Sequence, residues 1–467
     1  MAILTNTKET TEENLQADLG LGRRENAKTQ VRHFLADFAR LEVEYPGIYP
    51  HIIERGEGVY VIDDQGRYLL DAGNHLGACN IGHGRHEVAN RMAQQAERLE
   101  FSALDSGNSH DAVIGYAKKL AEILPIQDAC LSFCGSGSEG NELAIKIARA
   151  YHGLRGESNR TKILSRVGSY HGSSYAAMTA TGIDAFSAGF GPMCTDFASL
   201  PQPSHDRCTF CGDTDSCNLG CIDGTRRRIN EEGSDTIAAI IAEPISIVQA
   251  VKIPHPEYWQ QLHEICRETG ALLIADEVVT GFGRTGRMFG CEHWDVYPDI
   301  MVMAKGITSG YMPFGAVAVT GKVNEVFHKN PLLHLNTYAG HPVACAAADV
   351  TLDILLRENL IANSKEMESV LRYELEKIAQ TIPQAIRVSV IGLMSSIEVN
   401  VSGVKDIPRM VRRVRHEAYQ NDLLVRVNPD SDRISAFFYP PLTVTKENII
   451  AGIRSLEVAF NAALADI

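Results

Sequence analysis

Two short apolar runs in the sequence each lead to a residue that can take part in covalent or acid–base chemistry. Residues 271–275 (ALLIA) lead into Asp276, and residues 299–304 (DIMVMA) lead into Lys305. A run of this kind is typical of a strand that is buried on both faces of a parallel sheet. In such sheets, ligands bind beyond the carboxyl ends of the strands. We therefore expect an acid and a primary amine to meet at one sheet edge, which points to chemistry through an imine.

This pair of residues matches what pyridoxal 5'-phosphate (PLP) requires of a protein. PLP is held as a Schiff base to a lysine, and an acidic side chain faces its pyridinium nitrogen. The acid keeps that nitrogen protonated, so that the ring accepts electrons from the carbon that loses a proton. We predict that Asp276 is the pyridinium partner and that Lys305 forms the Schiff base and moves the proton. The alternative is an aspartate that caps a loop and a lysine in solvent.

A turn rich in glycine and serine, residues 134–142 (CGSGSEGNE), lies between a strand-like segment and an alanine-rich helical segment. Free backbone N–H groups and the helix dipole both favour an anion at such a turn. We predict that Ser136, Gly137 and Ser138 bind a single phosphate. The glycine spacing also satisfies a dinucleotide fingerprint, but no acid ends the next strand, residues 162–167, which disfavours a dinucleotide.

Tyr170 and His171 follow that next strand, beside the predicted phosphate site. An aromatic ring at this position can stack on a flat cofactor ring. A tyrosine that packs in the core is the alternative.

Four cysteines stand close together in an irregular segment: Cys208, Cys211, Cys217 and Cys221. Thiols at such spacing could bind zinc or an iron–sulfur cluster. The spacing is not that of a standard zinc finger, and reduced thiols that pack locally in an insertion are the alternative. We assign no metal ligand in this sequence.

The composition is ordinary for a globular protein of two or three structural units, with 467 residues, 45% hydrophobic and 22% charged. A net charge of −14 provides no basic surface for nucleic acid or an anionic membrane. No apolar run approaches the roughly 18 residues of a spanning helix. The 11 cysteines, an odd number, predict reduced thiols rather than a disulfide framework. Together with a polar N-terminus that has no signal sequence, they predict a cytoplasmic location.

Buried strands alternate with helical segments in the middle of the chain, which predicts an α/β fold with a large, doubly wound, mostly parallel sheet. From about residue 345 the pattern changes to helices and short strands, which predicts a smaller α+β domain. The predicted division is a flexible tail (1–28), an N-terminal segment packed with the small domain (29–75), a large cofactor-binding domain (76–344) and a C-terminal small domain (345–467).

The sequence resembles the class III (ω-amino acid) aminotransferases of PLP fold type I over most of its length. The most specific part is residues 276–286 (DEVVTGFGRTG) together with Lys305-Gly306. Other matching motifs fall in the family's order: residues 135–139, Tyr170-His171-Gly172, Glu243-Pro244, Thr337 with Gly340-His341-Pro342, and Pro440-Pro441-Leu442.

The resemblance implies roles for the matching residues. The serine–glycine turn would hold the phosphate, with the Tyr170-His171 motif at the cofactor. Tyr170 would stack on one face of the ring, and Val278 would contact the other. Glu243 would support the site near the ring hydroxyl. Thr337 would reach the phosphate of the neighbouring subunit's cofactor, which implies a homodimer with the active site at the subunit interface, a tetramer being the alternative.

The substrate-binding residues are also implied by the resemblance. Arg426 would bind a substrate carboxylate, and a solvated surface arginine is the alternative. Family members that act on GABA or ornithine tend to carry a glutamate five residues after Glu243, where this sequence has Val248. Valine offers no partner to the arginine and makes the pocket more apolar, which favours an amine donor over a dicarboxylate.

The predicted activity is therefore transamination by a ping-pong mechanism. An amine or ω-amino acid would give its amino group to a keto acid, either pyruvate or 2-oxoglutarate, through the Lys305 Schiff base. One alternative is a PLP-dependent racemase or aminomutase on the same fold. Another is a non-catalytic α/β binding protein.

Overall fold

The computed structural model describes residues 44, 45, 51–204, 211 and 217–465. The predicted tail (1–28) and part of the N-terminal segment lie outside these ranges. The strands are β1 (Ile53–Glu57), β2 (Tyr60–Asp63), β3 (Tyr68–Asp71), β4 (Cys130–Cys134), β5 (Lys162–Arg166), β6 (Phe197–Leu200), β7 (Ile237–Ala242), β8 (Leu272–Asp276), β9 (Ile300–Met303), β10 (Gly315–Val319), β11 (Ala385–Ile391), β12 (Met394–Asn400), β13 (Leu423–Leu424), β14 (Arg426–Asp430) and β15 (Arg433–Phe438).

The helices of the same ranges include α1, which is a single distorted turn. In chain order they are α1 (Asn74–Gly77), α2 (His86–Arg98), α3 (Asp111–Ile123), α4 (Gly137–Leu154), α5 (Tyr175–Ala180), α6 (Asp184–Ser187), α7 (Gly220–Glu232), α8 (Tyr258–Thr269), α9 (Gly321–Glu325), α10 (Pro342–Arg357), α11 (Leu360–Thr381), α12 (Ile407–Gln420) and α13 (Lys446–Leu464). No helix in the described ranges is long and apolar enough to cross a membrane.

A seven-stranded sheet forms the centre of the molecule, in the order β4-β10-β9-β8-β7-β5-β6. The neighbouring pairs from β9 to β6 are parallel, whereas β10 is antiparallel to both β4 and β9. Every residue of β7, β8 and β9 is buried, as the apolar runs of the sequence predict. The predicted α/β class with a mostly parallel sheet is confirmed.

Glycine ends α8 and turns the chain into β8. Gly270, the C-cap, has a φ of 77°, in the left-handed region that glycine adopts without steric cost. The chain therefore reverses directly after the helix, and the apolar run that follows enters the sheet parallel to β7. This local geometry delivers Asp276 to the sheet edge.

Two four-stranded sheets complete the fold, with the orders β1-β2-β3-β13 and β11-β12-β15-β14. β2 and β3 pair antiparallel and form a hairpin around residues 64–67. β13, from the C-terminal part of the chain, pairs in parallel with β3. The N-terminal and C-terminal parts of the chain thus share one sheet.

Candidate active site

Residues from four neighbouring parallel strands meet at the carboxyl edge of the central sheet. Asp276 ends β8, Lys305 follows β9 by two residues, Glu243 follows β7, and Tyr170 stands four residues after β5. All of them line one cavity of about 720 Å³. The sheet therefore brings together the acid, the amine and the aromatic ring that the sequence singled out.

Asp276 is held by three donors. His171 Nδ1 and Asn141 Nδ2 each lie 2.8 Å from Asp276 Oδ2, and the backbone N–H of Val278 donates to Oδ1 at 3.1 Å. Asn141 also donates to the backbone oxygen of His171 at 2.6 Å, so the three side chains form one buried network. Hydrogen bonds of this kind fix the position of a carboxylate.

Asn141 is a site residue that no motif in the sequence revealed. Asn141 lies on α4, shortly after Ser138. A polar side chain at such a position is usually expected to face solvent, yet Asn141 is fully buried. Its position four residues after Gly137 places it on the same helix face, which points at the cavity. That spacing is the one signal that could have identified it.

Lys305 begins a short 3₁₀ turn, Lys305–Ile307, and has a φ of 47°. A left-handed conformation is rare for a residue with a side chain and concentrates at functional sites. Removal of water around the amine and, to a smaller extent, the nearby Arg426 lower the pKa of Lys305 to about 8, against the attraction of the Asp276 and Glu243 carboxyl groups. The amine is therefore partly neutral near neutral pH, as a nucleophile or proton acceptor must be.

Glu243 is buried, and one oxygen of its carboxyl group accepts two hydrogen bonds. Its Oε1 accepts hydrogen bonds from the backbone N–H of Tyr170 and from Ser246 Oγ, both at 3.1 Å. Arg166 donates to the backbone oxygen of Glu243. Burial raises the pKa of Glu243, which favours the protonated form of the carboxyl group and allows it to donate a hydrogen bond into the cavity.

The predicted phosphate turn lies at the first turn of α4. Ser136 caps the helix, because its Oγ accepts from the backbone N–H of Glu139 at 3.2 Å. Ser138 Oγ accepts from the backbone N–H of Ser173 at 3.1 Å. The N–H groups of Gly137 and Ser138 belong to the first helical turn, which leaves them without partners inside the helix. These N–H groups, both hydroxyls and the helix dipole provide a site for one phosphate.

Tyr170 and Val278 both line the cavity. The Tyr170 ring meets the ring of Phe186 edge to face, with centroids 5.1 Å apart. An added Cβ at Gly137 would lie 2.9 Å from Val278 Cγ2, so only glycine lets the phosphate turn approach this valine so closely. The cavity thus has both an aromatic and an aliphatic side chain on its walls.

Arg426 and Val248 also line the cavity, whereas Thr337 does not. Arg426 stands at the start of β14 and its Nε donates to Asn428 Oδ1 at 3.2 Å. Val248 forms an apolar wall together with Ile245 and Ile247. Thr337 is exposed, in a loop whose neighbouring residues Leu333, Leu335 and Tyr338 are exposed as well.

Two charged residues of the motif DEVVTGFGRTG do not reach the cavity. The Glu277 carboxylate accepts from the backbone N–H groups of Gly290 and Cys291, both at 2.8 Å, and so holds the following loop. Arg284 is fully buried and donates to the backbone oxygens of Leu393 and Pro440. Both residues stabilise the frame around the site.

The cysteine segment lies partly outside the described residues, which exclude Cys208. The Sγ atoms of Cys211 and Cys217 are 3.6 Å apart, and Cys221 is buried. Among the residues that the structure describes, no group of three or more His, Cys, Asp or Glu side chains could hold a metal ion.

Comparison with known proteins decides the family. A sequence model described as "Aminotransferase class-III" matches residues 42–460. This chain is a class III aminotransferase. A diaminobutyrate–2-oxoglutarate transaminase from Halomonas elongata is 33% identical over 91% of this chain and 92% of its own length. A putrescine–pyruvate aminotransferase from Pseudomonas aeruginosa is 32% identical over 85% of this chain and 88% of its own length.

The crystal structure of an amine transaminase from an uncultivated Pseudomonas species, in a PLP-bound form, superposes with a TM-score of 0.83. The two chains are 32% identical, and the match covers 89% of this chain and 95% of the other. The cofactor of this aminotransferase is PLP, and the predictions of family, fold, enzyme class and cofactor are confirmed. The glycine-lined turn, the buried acid and the amine with a lowered pKa fit that cofactor.

Proposed function

We propose that this aminotransferase moves an amino group from an amine or ω-amino acid donor to a keto acid by a ping-pong mechanism, with Lys305 as the Schiff-base lysine. The observation that carries the proposal is the pairing, in one cavity, of an amine with a pKa of about 8 and a buried, triply hydrogen-bonded Asp276. The lowered pKa of Lys305 suits a nucleophile and proton acceptor, and the hydrogen bonds fix the position of the Asp276 carboxylate.

When bound, PLP supplies an electron sink for the carbon that loses a proton. Asp276 would face the pyridinium nitrogen and hold its proton, and His171 and Asn141 keep the carboxylate in place. The turn from Ser136 to Ser138 would bind the phosphate and anchor the ring.

The remaining cofactor contacts come from three side chains. Tyr170 and Val278 would contact the two faces of the ring and fix its plane. Glu243 would lie near the ring hydroxyl, where the protonated carboxyl group that its raised pKa favours would donate a hydrogen bond. The neutral amine of Lys305 would accept a proton from the substrate at Nζ and return it within the same half-reaction.

The substrate side of the cavity combines an apolar wall with one cation. Val248 and the neighbouring isoleucines contact the hydrocarbon part of the donor. Arg426 would bind a carboxylate of the keto acid, which in pyruvate is its single carboxylate. Among the relatives, one is named for 2-oxoglutarate and another for pyruvate, so both acceptors belong in the first screen.

We also propose that the active unit is a homodimer. Thr337 is exposed and does not line the cavity of its own chain. Leu333, Leu335 and Tyr338 expose large apolar surfaces in the same loop, and such surfaces mark protein interfaces. In the dimer this loop would cover apolar surface and bring Thr337 to the partner's phosphate.

The division into a tail, an N-terminal segment and two domains stays a prediction, supported by the pairing of β13 with β3. The cytoplasmic location also stays a prediction.

A donor screen tests the proposal. Purified holoenzyme is mixed with ω-amines, and the visible absorbance of the bound cofactor is followed before and after addition of pyruvate or 2-oxoglutarate. We expect donors to bleach the absorbance and one keto acid to restore it, with formation of one keto or aldehyde product per donor. Lys305→Ala should abolish turnover, whereas Lys377→Ala, an exposed lysine on α11, should not. Full activity in Lys305→Ala would refute the assignment.

A further inference from the structure

A second cavity, of about 310 Å³, adjoins the main cavity on the side of Arg426. Residues that line both cavities are Leu76, Arg426, Asn428 and Tyr439. The second cavity is also lined by Asp71, His75 and Arg415. The mechanism above uses none of these last three residues.

His75 is oriented by a buried carboxylate. Its Nδ1 lies 3.3 Å from Asp71 Oδ2, and the side chain is 44% exposed. The same carboxylate oxygen lies 3.0 Å from His83 Nε2, so Asp71 holds two imidazole rings. Because Nδ1 of His75 faces Asp71, its Nε2–H is the donor that remains for a ligand.

The hydrogen bond to Asp71 raises the pKa of His75, although burial acts against this. Burial alone would raise the pKa of Asp71, but the hydrogen bonds from His75 and His83 lower it below its usual value. Asp71 is therefore an anion, and His75 stays protonated to higher pH than a free histidine.

The backbone at His75 is in an uncommon conformation. His75 has a φ of 40° and Leu76 a φ of 65°, two successive residues in the left-handed region without a glycine. Such conformations cluster at ligand sites, where the surrounding structure holds them in place. Here they place His75 in the second cavity and Leu76 on the boundary between the two cavities.

In the part of the chain that the structure describes, most of the ionisable side chains that line this cavity are basic. The titratable and charged groups that face His75 or line the cavity with it, among the described residues, are Asp71, His83, Arg415, Arg426 and Tyr439. Tyr439 is neutral, because burial raises the pKa of its phenol. Within these described ranges, the Asp71 carboxylate, which both imidazoles contact, thus shares this cavity with His75 and with the guanidinium groups of Arg426 and Arg415, the latter also donating to the backbone oxygen of Val427.

We propose that this second cavity binds the distal carboxylate of a dicarboxylic keto acid between His75 and Arg426, and that His75 is a specificity-determining residue for the acceptor. The proposal rests on the transaminase function proposed above and names the acceptor class, of which 2-oxoglutarate is the simplest probe. A monocarboxylic keto acid has no second carboxylate to place there. The apolar wall at Val248 remains available to the hydrocarbon part of the donor, which reacts in the other half of the cycle.

Binding of unreactive analogues tests this assignment without turnover. Glutarate has two carboxylates and pentanoate one, on chains of equal length, and neither has a keto group to react. Calorimetry on the holoenzyme near neutral pH gives both affinities for wild type, His75→Asn and His75→Arg. Asparagine and wild-type histidine both tolerate a left-handed backbone, so His75→Asn removes the charge at little conformational cost. His86→Gln, an exposed histidine on α2, is the matched control.

We expect His75→Asn to weaken glutarate binding by about tenfold or more, the worth of one charge-assisted hydrogen bond, and to leave pentanoate binding unchanged. Glutarate affinity of the wild type should fall as the pH rises through the titration of His75. His75→Arg should keep the affinity and lose that pH dependence. Equal loss for both ligands, or no loss for either, overturns the assignment. Absence of transamination with every keto acid would refute the proposed function, while the glutarate–pentanoate difference would still decide the role of His75.

Discussion

The packing of the phosphate turn against Val278 gives the sharpest single-residue prediction. In Gly137→Ala, the new methyl group would lie 2.9 Å from Val278 Cγ2 and 3.0 Å from Cγ1. Carbon atoms prefer roughly 3.5–4.0 Å, and valine has little freedom to rotate away. Either α4 or Val278 must move, and both contact the proposed cofactor site.

Two opposing effects set the stability of this variant. Overpacking of a well-filled site costs about 1–3 kcal/mol. Alanine in place of glycine within a helix contributes about 0.5–1 kcal/mol in the other direction. We expect a net loss of roughly 0–2.5 kcal/mol for the apoenzyme. PLP affinity should fall further, by about tenfold or about 1.4 kcal/mol, because the phosphate turn and the side chain on the ring face can no longer both keep their positions.

Equilibrium titration of the apoenzyme with PLP, together with thermal melts, measures both quantities. Gly153→Ala is the matched control, since Gly153 lies in the same helix and an added Cβ there meets no atom within 4 Å. It should stabilise the protein by about 0.5–1 kcal/mol and leave PLP affinity unchanged. If Gly137→Ala binds PLP as tightly as Gly153→Ala does, the close contact with Val278 does not constrain the cofactor site and the reasoning is wrong.

Three further predictions concern the charged groups of the cavity. With a pKa of about 8, about a tenth of the Lys305 amine is neutral at about pH 7 and most of it is neutral at about pH 9. The rate at which the apoenzyme binds PLP, measured by stopped-flow absorbance, should therefore rise about tenfold over this range. A flat profile contradicts the lowered pKa. Burial raises the pKa of Glu243, so its contribution to stability is full below about pH 4.5 and is lost as the pH rises through the folded-state pKa. Glu243→Gln should therefore raise the melting temperature of the apoenzyme at pH 7 relative to wild type, but not near pH 4. Val248→Glu should raise KM for the keto acid by about tenfold, because the new carboxylate competes for Arg426, whereas Val248→Leu should not.

The parts of the site that the sequence predicts are those that depend on strand ends. Apolar runs mark buried strands, so the order of residues along the chain is enough to place Asp276 and Lys305 at one sheet edge. Glycine spacing and helix chemistry likewise identify the phosphate turn. In each case a short stretch of sequence determines the local geometry.

Contacts between distant parts of the chain could not be predicted. Asn141 and Asp276 are 135 residues apart, and nothing in either segment indicates that they bond. The reversed direction of β10 and its place between β4 and β9 follow from long-range pairing, as does the link between β13 and β3. The cavity around His75 depends on a distorted turn whose sequence, Asn74–Gly77, carries no signal for two left-handed residues.

The reversed strand β10 has a consequence for substrate size. Because β9 and β10 pair antiparallel, with Met303 opposite Ala316, the segment between them leaves and re-enters the sheet at the same edge. It begins at Lys305 and ends with Met312, Pro313 and Phe314, all of which line the main cavity. Both ends of this segment are thus fixed by a hairpin ladder, while its middle is free of sheet pairing. An insertion or deletion between Thr308 and Met312 would therefore alter the cavity wall without changing the register of any strand. Such changes of length are a way to let the enzyme accept larger amines.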